Sequence, residues 1–482
     1  MRIKKHPILE FDREKKLRFY INGKELYGYE GETISAALFA NGVTTFSRSL
    51  KYNHPRGFFC GIGKCSSCLM TVNGVPNTRT CITPLKEGVE VKTQDAYADL
   101  PGTKHKRHKK KVINTDLLVI GGGPAGLSAA LEAAKHGVNV LLVDENPFLG
   151  GQLIKQTHKF FGSREEKAGT RGVEIAQQLR KEVEKQENIR VFLKSTVFGY
   201  YECEQNHCFG MVKRREDYTE EIYELHCKSV IFACGAIENM LAFPGNDLPG
   251  VYGAGGVQTL MNVYGVKPGR RVLMVGSGNV GLIVSYQLLQ ADVDVAYIVE
   301  GLPKIGGYHV HAAKVRRCGV PILTSHTIVE AYGDERVEGA RIAKVGKNWS
   351  IIPGTEMDVK CDTICLAVGL TPSIRLLSQT GAEIRFIREA GGHVALHNKN
   401  METTVPGVYV AGDGSGIEEA STAMLEGKIA GFSAAYKIKN KAFDSKPLKL
   451  YHEELERLRD GPFGVKGRKA KEKIAVQWSD KR

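Results

Sequence analysis

The pattern of hydrophobic and polar positions changes near residue 112. Before that point, two short apolar–polar segments, KLRFYI and KELYGY, flank Asn22-Gly23, which predicts a β-hairpin with a type I′ turn. Thr33 is suited to cap a helix through ISAALFA, and Gly42 is suited to end it. After that point, apolar strands are followed by glycine loops and apolar helices, which predicts a parallel α/β sheet.

Two long segments share the order strand, glycine loop, helix, strand. The first is TDLLVIGGGPAGLSAALEAAKHGVNVLLVDE, and the second is RRVLMVGSGNVGLIVSYQLLQADVDVAYIVE. In each, G-x-G-x-x-G follows an apolar strand and opens a helix, so backbone and helix dipole can bind a pyrophosphate. The glycines of the two loops are Gly121, Gly123 and Gly126, then Gly276, Gly278 and Gly281. Two complete copies indicate two Rossmann-like folds.

An acidic residue at the end of each second strand is expected to bind ribose hydroxyls. Asp144 and Glu145 both qualify in the first copy, and Glu300 qualifies in the second. DENPFLGG and EGLPKIGG repeat an acid, a proline and a glycine pair, and this register selects Asp144 over Glu145. Glu300 repels a 2′-phosphate, so the second fold favours NAD over NADP. The alternatives are that it is empty or holds another adenine nucleotide.

Composition is that of a globular protein of more than one domain. The chain has 482 residues, 42% hydrophobic and 25% charged. No apolar run reaches the length of a membrane-spanning helix, and the opening MRIKKHPILEFDREKK has no apolar run, which predicts a cytoplasmic protein without a membrane span. Much of the net charge of +14 lies in KHKRHKKK, from Lys104 to Lys111, which we interpret as a solvated linker or docking surface rather than a nucleic-acid site.

Four of the eleven cysteines are closely spaced. Cys60, Cys65, Cys68 and Cys81 follow C-x4-C-x2-C-x12-C, the plant-type [2Fe-2S] spacing, in which each iron takes two thiolates. Purely structural thiols, or a domain that has lost its cluster, are the alternatives. The remaining cysteines are expected to be reduced and not to form structural disulfides.

Residues 112–440 resemble the two-dinucleotide-binding-domain flavoproteins of the glutathione and thioredoxin reductase type. Besides the glycine loops, the resemblance rests on IFACGA, ICLAVGLTP and TTVPGVYVAGDGSG. It implies that Asp413 hydrogen-bonds the ribityl chain of FAD. The implied FAD residues are Gly121, Gly123, Pro124, Ala125, Gly126, Asp144, Glu145, Gly151, Gln152, Gly235, Gly412 and Asp413. The disulfide reductases of that class carry a cysteine pair beside the flavin; here neither Cys203/Cys208 nor Cys361/Cys365 stands at that place, so no dithiol chemistry is expected at the flavin.

The expected fold is α/β, with two Rossmann-like domains preceded by a β-grasp ferredoxin-like [2Fe-2S] domain. The predicted divisions are 1–100 for the ferredoxin-like domain, 101–111 for a basic linker, 112–242 and 371–440 for the FAD-binding domain, 243–370 for the NAD-type domain, and 441–482 for a C-terminal helix and an exposed basic tail.

The whole chain is similar to the α-type subunits of amine and amino-acid dehydrogenases, including sarcosine oxidase, dye-linked proline and hydroxyproline dehydrogenases, opine oxidase and hydrogen cyanide synthase. PRGFFCGIGKCSSCLMTVNG and FPGNDLPGVYGAGG carry this similarity. It implies an FAD- and [2Fe-2S]-containing oxidoreductase that relays electrons from a β-type flavoprotein subunit, which oxidises a proline-, hydroxyproline-, sarcosine- or glycine-like substrate.

The same similarity implies a hetero-oligomer. An FMN at the interface between subunits and a small iron–sulfur subunit occur in relatives, and both are further expectations. No residue of this chain is singled out as catalytic. Two other functions stay open: a self-contained NADH:acceptor oxidoreductase, and a non-catalytic subunit that holds a nucleotide.

Overall fold

The computed structural model describes residues 1–95, 97–98, 110–163, 167–204, 207–461 and 464–479. Residues 101–109, which include most of the predicted basic linker, lie outside the described residues. The chain forms two compact units, each made from two separate segments. Unit 1 comprises Met1–Lys104 and Glu238–Gly369, and unit 2 comprises His105–Ile237 and Leu370–Arg482.

The N-terminal part of unit 1 is a mixed sheet with one helix against it. The predicted hairpin is confirmed, with Asn22 and Gly23 both at positive φ, and Thr33 caps the predicted helix by accepting the amide of Ala36 at 3.4 Å. The sheet order is β2-β1-β7-β5-β6, and a smaller sheet has the order β4-β3-β8. The elements are β1 (Lys16–Ile21), β2 (Lys24–Tyr29), α1 (Ile34–Ala40), β3 (Ser47–Arg48), β4 (Pro55–Arg56), β5 (Leu69–Val72), β6 (Val75–Arg79), β7 (Val89–Lys92) and β8 (Gln94–Asp95).

The first segment of unit 2 holds the first glycine loop. Parallel strands in the order β11-β10-β9-β14 continue into an antiparallel extension through β13 and β12. Strand β14 is long enough to pair with β13 along its first half and with β27 along its last residues. The elements are β9 (Lys111–Ile120), α2 (Pro124–Lys135), β10 (Val140–Val143), α3 (Gly172–Glu184), β11 (Ile189–Phe192), β12 (Ser195–Tyr201), β13 (His207–Arg214), β14 (Glu220–Phe232) and β15 (Ala236–Glu238).

The second segment of unit 1 repeats this plan. Its parallel sheet has the order β16-β23-β17-β18-β19, and its antiparallel sheet has the order β20-β21-β22. Here the strand equivalent to β14 is broken into β22 and β23. The elements are β16 (Val251–Gly253), α4 (Ala254–Gln258, continued by a π-helical turn, Thr259–Val263), β17 (Arg271–Val275), α5 (Asn279–Gln290), β18 (Asp294–Glu300), α6 (His309–Arg317), β19 (Ile322–Thr324), β20 (His326–Tyr332), β21 (Gly339–Lys344), β22 (Met357–Val359) and β23 (Thr363–Leu366).

The chain then completes unit 2. Strand β24 pairs with β15, β25 pairs with β26, and β27 joins the parallel sheet. The elements are β24 (Leu370–Pro372), β25 (Ile384–Ile387), β26 (Gly392–Ala395), β27 (Val408–Val410), α7 (Ala420–Ile438), α8 (Lys446–Asp460) and α9 (Val465–Ser479). A large apolar core of unit 2 lies between α2, α7 and the sheet, where small residues such as Ala129, Ala430 and Ala434 let the two helices approach closely.

Two expectations need correction. The basic stretch near residue 470 is not an exposed tail, because it forms α9 and buries Ala470 and Ile474 against β25 and β26. The cysteines are also not all unpaired, because Cys203 and Cys208 form a disulfide with Cα atoms 6.1 Å apart. None of the helices formed by the described residues is long and apolar enough to span a membrane.

Candidate functional site

The four cysteines of the predicted cluster lie together in unit 1. Cys60, Cys65 and Cys68 lie between β4 and β5, and Cys81 follows β6. The thiol of Cys60 contacts those of Cys65 and Cys81, and the thiol of Cys81 also contacts that of Cys68. These contacts bring together the four thiols that two irons with two thiolates each require.

The surroundings of the thiols fit a metal cluster. Cys60, Cys68 and Cys81 are buried, and contact with Cys60 and Cys68 raises the pKa of Cys81 well above its usual value. Crowded, buried thiols cannot all ionise unless a cation compensates the charge. Gly63 has positive φ, and its N–H points at the sulfur of Cys81 at 3.2 Å, which is the type of contact that stabilises a cluster thiolate.

The cluster segment packs directly on the second dinucleotide fold, within unit 1. The carbonyl of Phe59 accepts the N–H of Gly253 at 3.2 Å, and a Cβ atom at Gly256 would lie 2.0 Å from the same oxygen. Phe58 and Tyr252 meet edge to face, with ring centroids 6.3 Å apart. Sequence reasoning treated these regions as separate domains; the glycine-rich run around residue 255 is the signal that a backbone approaches closely here.

The first glycine loop has the geometry of a pyrophosphate-binding turn. Gly121 has φ of 110°, and a Cβ there would lie 2.2 Å from the carbonyl oxygen of Ala233. A Cβ at Gly126 would lie 1.8 Å from the oxygen of Gly121, so only glycine lets α2 approach the strand. Gly123 caps α2 without a side-chain hydrogen bond, which leaves the first amides of the helix to a ligand.

Asp144 follows β10 and binds the backbone of this loop. Its carboxylate accepts the N–H of Gly122 at 2.6 Å and that of Asn146 at 2.7 Å, and burial raises its pKa. Glu145 is half-buried beside it. Gly151, with φ of 52°, lies against Gly123, since a Cβ on it would be 2.7 Å from the Cα of Gly123. Asp144 and Gly151 therefore lie at the glycine loop.

The second glycine loop has the same arrangement. Gly276 has φ of 105°, and a Cβ at Gly281 would lie 2.1 Å from the oxygen of Gly276. Glu300 takes the place of Asp144: it accepts the N–H of Ser277 at 3.0 Å, the hydroxyl of Ser277 at 2.8 Å, and the N–H of Leu302 at 2.9 Å. Gly278 caps α5 without a side-chain hydrogen bond. This loop therefore repeats the backbone geometry and the acid–amide contact of the first loop.

The second predicted FAD motif forms a turn beside the first glycine loop. Gly412 has φ of 69°, and a Cβ on it would lie 2.9 Å from the Cβ of Ala125. Asp413 accepts the N–H of Glu418 at 3.4 Å. Desolvation, with the charges of Glu426 and Glu418 adding to it, raises the pKa of Asp413 to about 7. A desolvated carboxylate with such weak hydrogen bonding fits the hydroxyl donors of a ribityl chain.

A buried charge cluster supports this turn, and sequence reasoning missed it. Glu426 accepts the N–H of Gly412 at 2.9 Å and binds Lys471 at 2.7 Å and Arg459 at 2.6 Å. Burial alone raises the pKa of Glu426, but Lys471 and Arg459 outweigh it and lower the pKa to about 2. Arg459 also binds both oxygens of Glu418, at 2.9 and 2.7 Å. The side chains of these four charged residues are at most 13% exposed.

The other predicted residues have less specific surroundings. Pro124 is the first residue of α2, where a missing N–H costs no hydrogen bond. Gln152 is exposed, in a short 3₁₀ turn. Gly235 has φ of 66°, and its carbonyl accepts the N–H of Ser373 at 2.9 Å.

Comparison with known proteins supports this picture. Residues 115–427 match the family model described as pyridine nucleotide-disulphide oxidoreductase, and residues 14–96 match a 2Fe-2S iron-sulfur cluster binding domain. The alpha subunit of a sarcosine oxidase from Rhizobium meliloti is 27% identical, over 86% of this chain and 45% of that protein. An opine oxidase subunit from Agrobacterium tumefaciens is 28% identical, over 67% of this chain and 66% of that protein.

Among solved structures, an L-proline dehydrogenase from P. horikoshii is 28% identical with a TM-score of 0.72, over 94% of this chain and 79% of that chain. The chain spans less than half the length of the sarcosine oxidase subunit that it matches. Since the first family model covers more than half of the sequence, this chain belongs to the pyridine nucleotide-disulphide oxidoreductase family, and it carries an N-terminal 2Fe-2S domain.

Proposed function

We propose that this chain is the electron-transferring subunit of a multi-subunit amino-acid dehydrogenase. In this proposal, a separate β-type flavoprotein subunit oxidises a proline-, hydroxyproline-, sarcosine- or glycine-like substrate. The observation that carries the proposal is the union, in one chain, of a four-thiol cluster segment and a flavin-type dinucleotide fold. The likeness to subunits of sarcosine and opine oxidases and to an L-proline dehydrogenase supports the substrate class.

The residues of this chain would bind and position the cofactors. Gly121, Gly123 and α2 would hold the FAD pyrophosphate, and Asp413 would accept hydrogen bonds from its ribityl hydroxyls. Cys60, Cys65, Cys68 and Cys81 would ligate the cluster. When bound, FAD supplies two-electron chemistry and the cluster one-electron transfer. The packing of the cluster segment on β16 and α4 would hold the four thiols in a fixed position within unit 1.

A second candidate is an NADH:acceptor oxidoreductase that needs no partner. The hydrogen bonds of Glu300 to Ser277 and Leu302 favour it, because they give the second loop the same arrangement as the first. In this candidate function, the Gly276 loop binds NADH, and the cluster passes the electrons to the acceptor. An occupied but redox-silent loop, holding another adenine nucleotide, would fit the first proposal equally well.

Anaerobic mixing separates the two candidates. The purified chain, loaded with FAD and cluster, is mixed first with NADH, and then with L-proline or sarcosine in the presence of the co-expressed β-type subunit. We expect NADH to leave both chromophores oxidised and the amino acid with the partner to bleach both. Fast bleaching by NADH alone would replace the first proposal by the second.

The variant Cys65→Ser is the control for the relay. It should abolish the cluster absorption and leave the flavin content unchanged, so that the amino acid and partner reduce flavin alone. A normal cluster spectrum in this variant would remove Cys65 from the ligand set. Cys318→Ser, which changes an exposed cysteine on unit 1 that has no disulfide partner, is the matched control and should leave both spectra as they are.

A further inference from the structure

Three ligand atoms converge on the antiparallel part of unit 2, outside the cofactor loops. Cys208 on β13 lies directly opposite His226 on β14, and its sulfur is 3.1 Å from Nδ1 of that histidine. Cys203, two residues after the end of β12, forms a disulfide with Cys208. The two sulfurs and a nitrogen of His226 all lie within 4.8 Å of one another. Two cysteines and one histidine are a typical donor set for zinc.

The histidine is held in the orientation that a metal ligand needs. Nε2 of His226 lies 2.8 Å from a carboxylate oxygen of Glu224, which also forms an ion pair with Lys110. With the ring proton on Nε2 and donated to Glu224, Nδ1 presents its lone pair to the two sulfurs. This carboxylate–histidine pair is the outer-shell arrangement that orients metal-bound imidazoles.

The two cysteines differ in accessibility, which bears on how the site opens. Cys208 is 3% exposed and lies on a paired strand, whereas Cys203 lies outside the strand and is exposed. A reductant can therefore reach the sulfur of Cys203 from solvent. Cys208 and His226 stay in place because the ladder between β13 and β14 holds them opposite each other.

We propose that Cys203, Cys208 and His226 form a redox-gated site for a thiophilic divalent cation, of which Zn²⁺ is the representative. The disulfide is the closed form. An external dithiol opens it: the S–S bond breaks, the two cysteines gain two electrons and two protons, and the reductant becomes a cyclic disulfide. Zn²⁺ then replaces the two thiol protons, takes Nδ1 as third ligand and keeps a water as the fourth.

The test compares oxidised and reduced forms of the full chain, with the cluster intact. Tris(carboxyethyl)phosphine is used as reductant, because it binds zinc weakly; it takes an oxygen from water as the two thiols form. We expect the reduced chain to take up one Zn²⁺ in competition with a chromophoric chelator, and the oxidised chain to take up none. With Co²⁺ as probe, a sulfur-to-cobalt charge-transfer band should appear upon reduction.

Variants assign the binding to these residues. Cys203→Ser and His226→Asn should each weaken Zn²⁺ binding by at least ~10-fold, and Glu224→Gln by a smaller factor, because it acts through the histidine. Cys318→Ser and His393→Asn change an exposed cysteine and an exposed histidine elsewhere and should bind as the parent does.

Four outcomes would overturn the site. The first is a reduced chain that binds no more Zn²⁺ than the Cys203→Ser variant, which would make the pair a crosslink only. The second is Zn²⁺ binding that survives in Cys203→Ser and His226→Asn, and the third is equal binding by the oxidised chain. Visible absorption of the cluster, recorded throughout, shows whether Zn²⁺ has displaced iron from Cys60, Cys65, Cys68 and Cys81; uptake that appears only with such displacement also overturns it.

Discussion

The two glycine loops have nearly the same backbone and very different supports. In both, the first glycine has φ near 105–110°, the third glycine has no room for a Cβ, and an acid binds the N–H between the first two. Around the first loop, Gly412 and the buried cluster of Glu418, Glu426, Arg459 and Lys471 add a second turn. The support of the second loop is local, from Ser277, Glu300 and Asn279.

This difference shows what the glycine motif does and does not encode. The motif encodes the backbone geometry of the loop, which both units share. The additional support of the first loop comes from a turn and two helices that lie roughly 290 to 350 residues further along the chain. Each of the following changes is chosen to act on one loop and spare the other.

The largest effect is expected from a methyl group inside a loop. Gly126→Ala places a Cβ 1.8 Å from the oxygen of Gly121, so we expect purified protein without FAD but with the cluster spectrum intact. Gly281→Ala, its counterpart 2.1 Å from the oxygen of Gly276, should keep FAD and lose nucleotide binding. Flavin release and visible absorption measure the FAD and cluster content of the two variants. Equal FAD content in the two variants would contradict the assignment of the loops.

The second-largest effect is expected from a change in the buried charge cluster that supports the first loop. Lys471→Met leaves Glu426 buried with one cation fewer, which should cost about 3 kcal/mol of unfolding free energy in unit 2 and speed the loss of FAD. Lys473→Met, on the same helix, breaks an exposed pair with Glu389 and should cost at most about 1 kcal/mol. Denaturant titration followed by flavin fluorescence compares them. Similar curves would mean that Lys471 is not part of the support.

The same cluster of charged residues predicts that unit 2 loses stability at acidic pH. Because the pKa of Glu426 is lowered from 4.5 to about 2, its contribution is complete above pH 4.5 and is lost as the pH falls toward 2. The shift corresponds to about 3 kcal/mol. The free energy of unfolding of unit 2, measured at successive pH values below 5, should therefore fall less steeply in Glu426→Gln than in the parent. An equal loss of stability in Glu426→Gln and the parent would mean that other carboxylates cause the acid sensitivity.

A smaller effect is expected at the flavin chain itself. Asp413→Ala removes the acceptor for the ribityl hydroxyls, which should weaken FAD binding by roughly 10- to 100-fold, or about 1.5–3 kcal/mol. Asp413→Asn keeps one acceptor oxygen and should lose less. Titration of apoprotein with FAD measures the constants. An unchanged affinity of Asp413→Ala for FAD would exclude a ribityl contact by Asp413.

The smallest effect concerns the second loop. Glu300→Ser removes the charge that opposes a 2′-phosphate, so the preference for NAD over NADP should fall by roughly tenfold, about 1.4 kcal/mol. Binding of the two nucleotides is measured by calorimetry, with FAD content as the check on folding. A parent chain that binds neither nucleotide would refute the NAD site outright.

Local patterns explain which parts of the fold were predictable. The hairpin at Asn22-Gly23, the cap at Thr33 and both glycine loops depend on neighbours within a few residues, and all appear as predicted. The cysteine spacing likewise brought four thiols together. The role of Lys471 could not be predicted, because a lysine in a basic stretch is usually solvated, and the partners that make its burial favourable, Glu426 and Ser415, are distant in sequence.

The packing of the cluster segment on the second dinucleotide fold was not predictable for a related reason. Phe59 and Gly256 are far apart in sequence, and the glycine-rich run around residue 255 indicates that a backbone approaches closely but does not indicate which one. The disulfide between Cys203 and Cys208 closes a segment whose sequence shows only that it is polar. Contacts of this kind depend on tertiary structure and require coordinates.

The discontinuity of unit 1 constrains how the protein is made. A ribosome releases residues 1–104 long before residues 238–369, yet both segments are needed to complete unit 1. Domains generally fold as units during synthesis, N-terminal parts first. The nascent cysteine segment must therefore wait, without the backbone of Gly253 and Gly256 beneath it, until most of the chain has emerged. We therefore expect iron and sulfide to be incorporated late in the biosynthesis of this protein, and a truncated chain that ends before residue 369 to hold its cluster poorly.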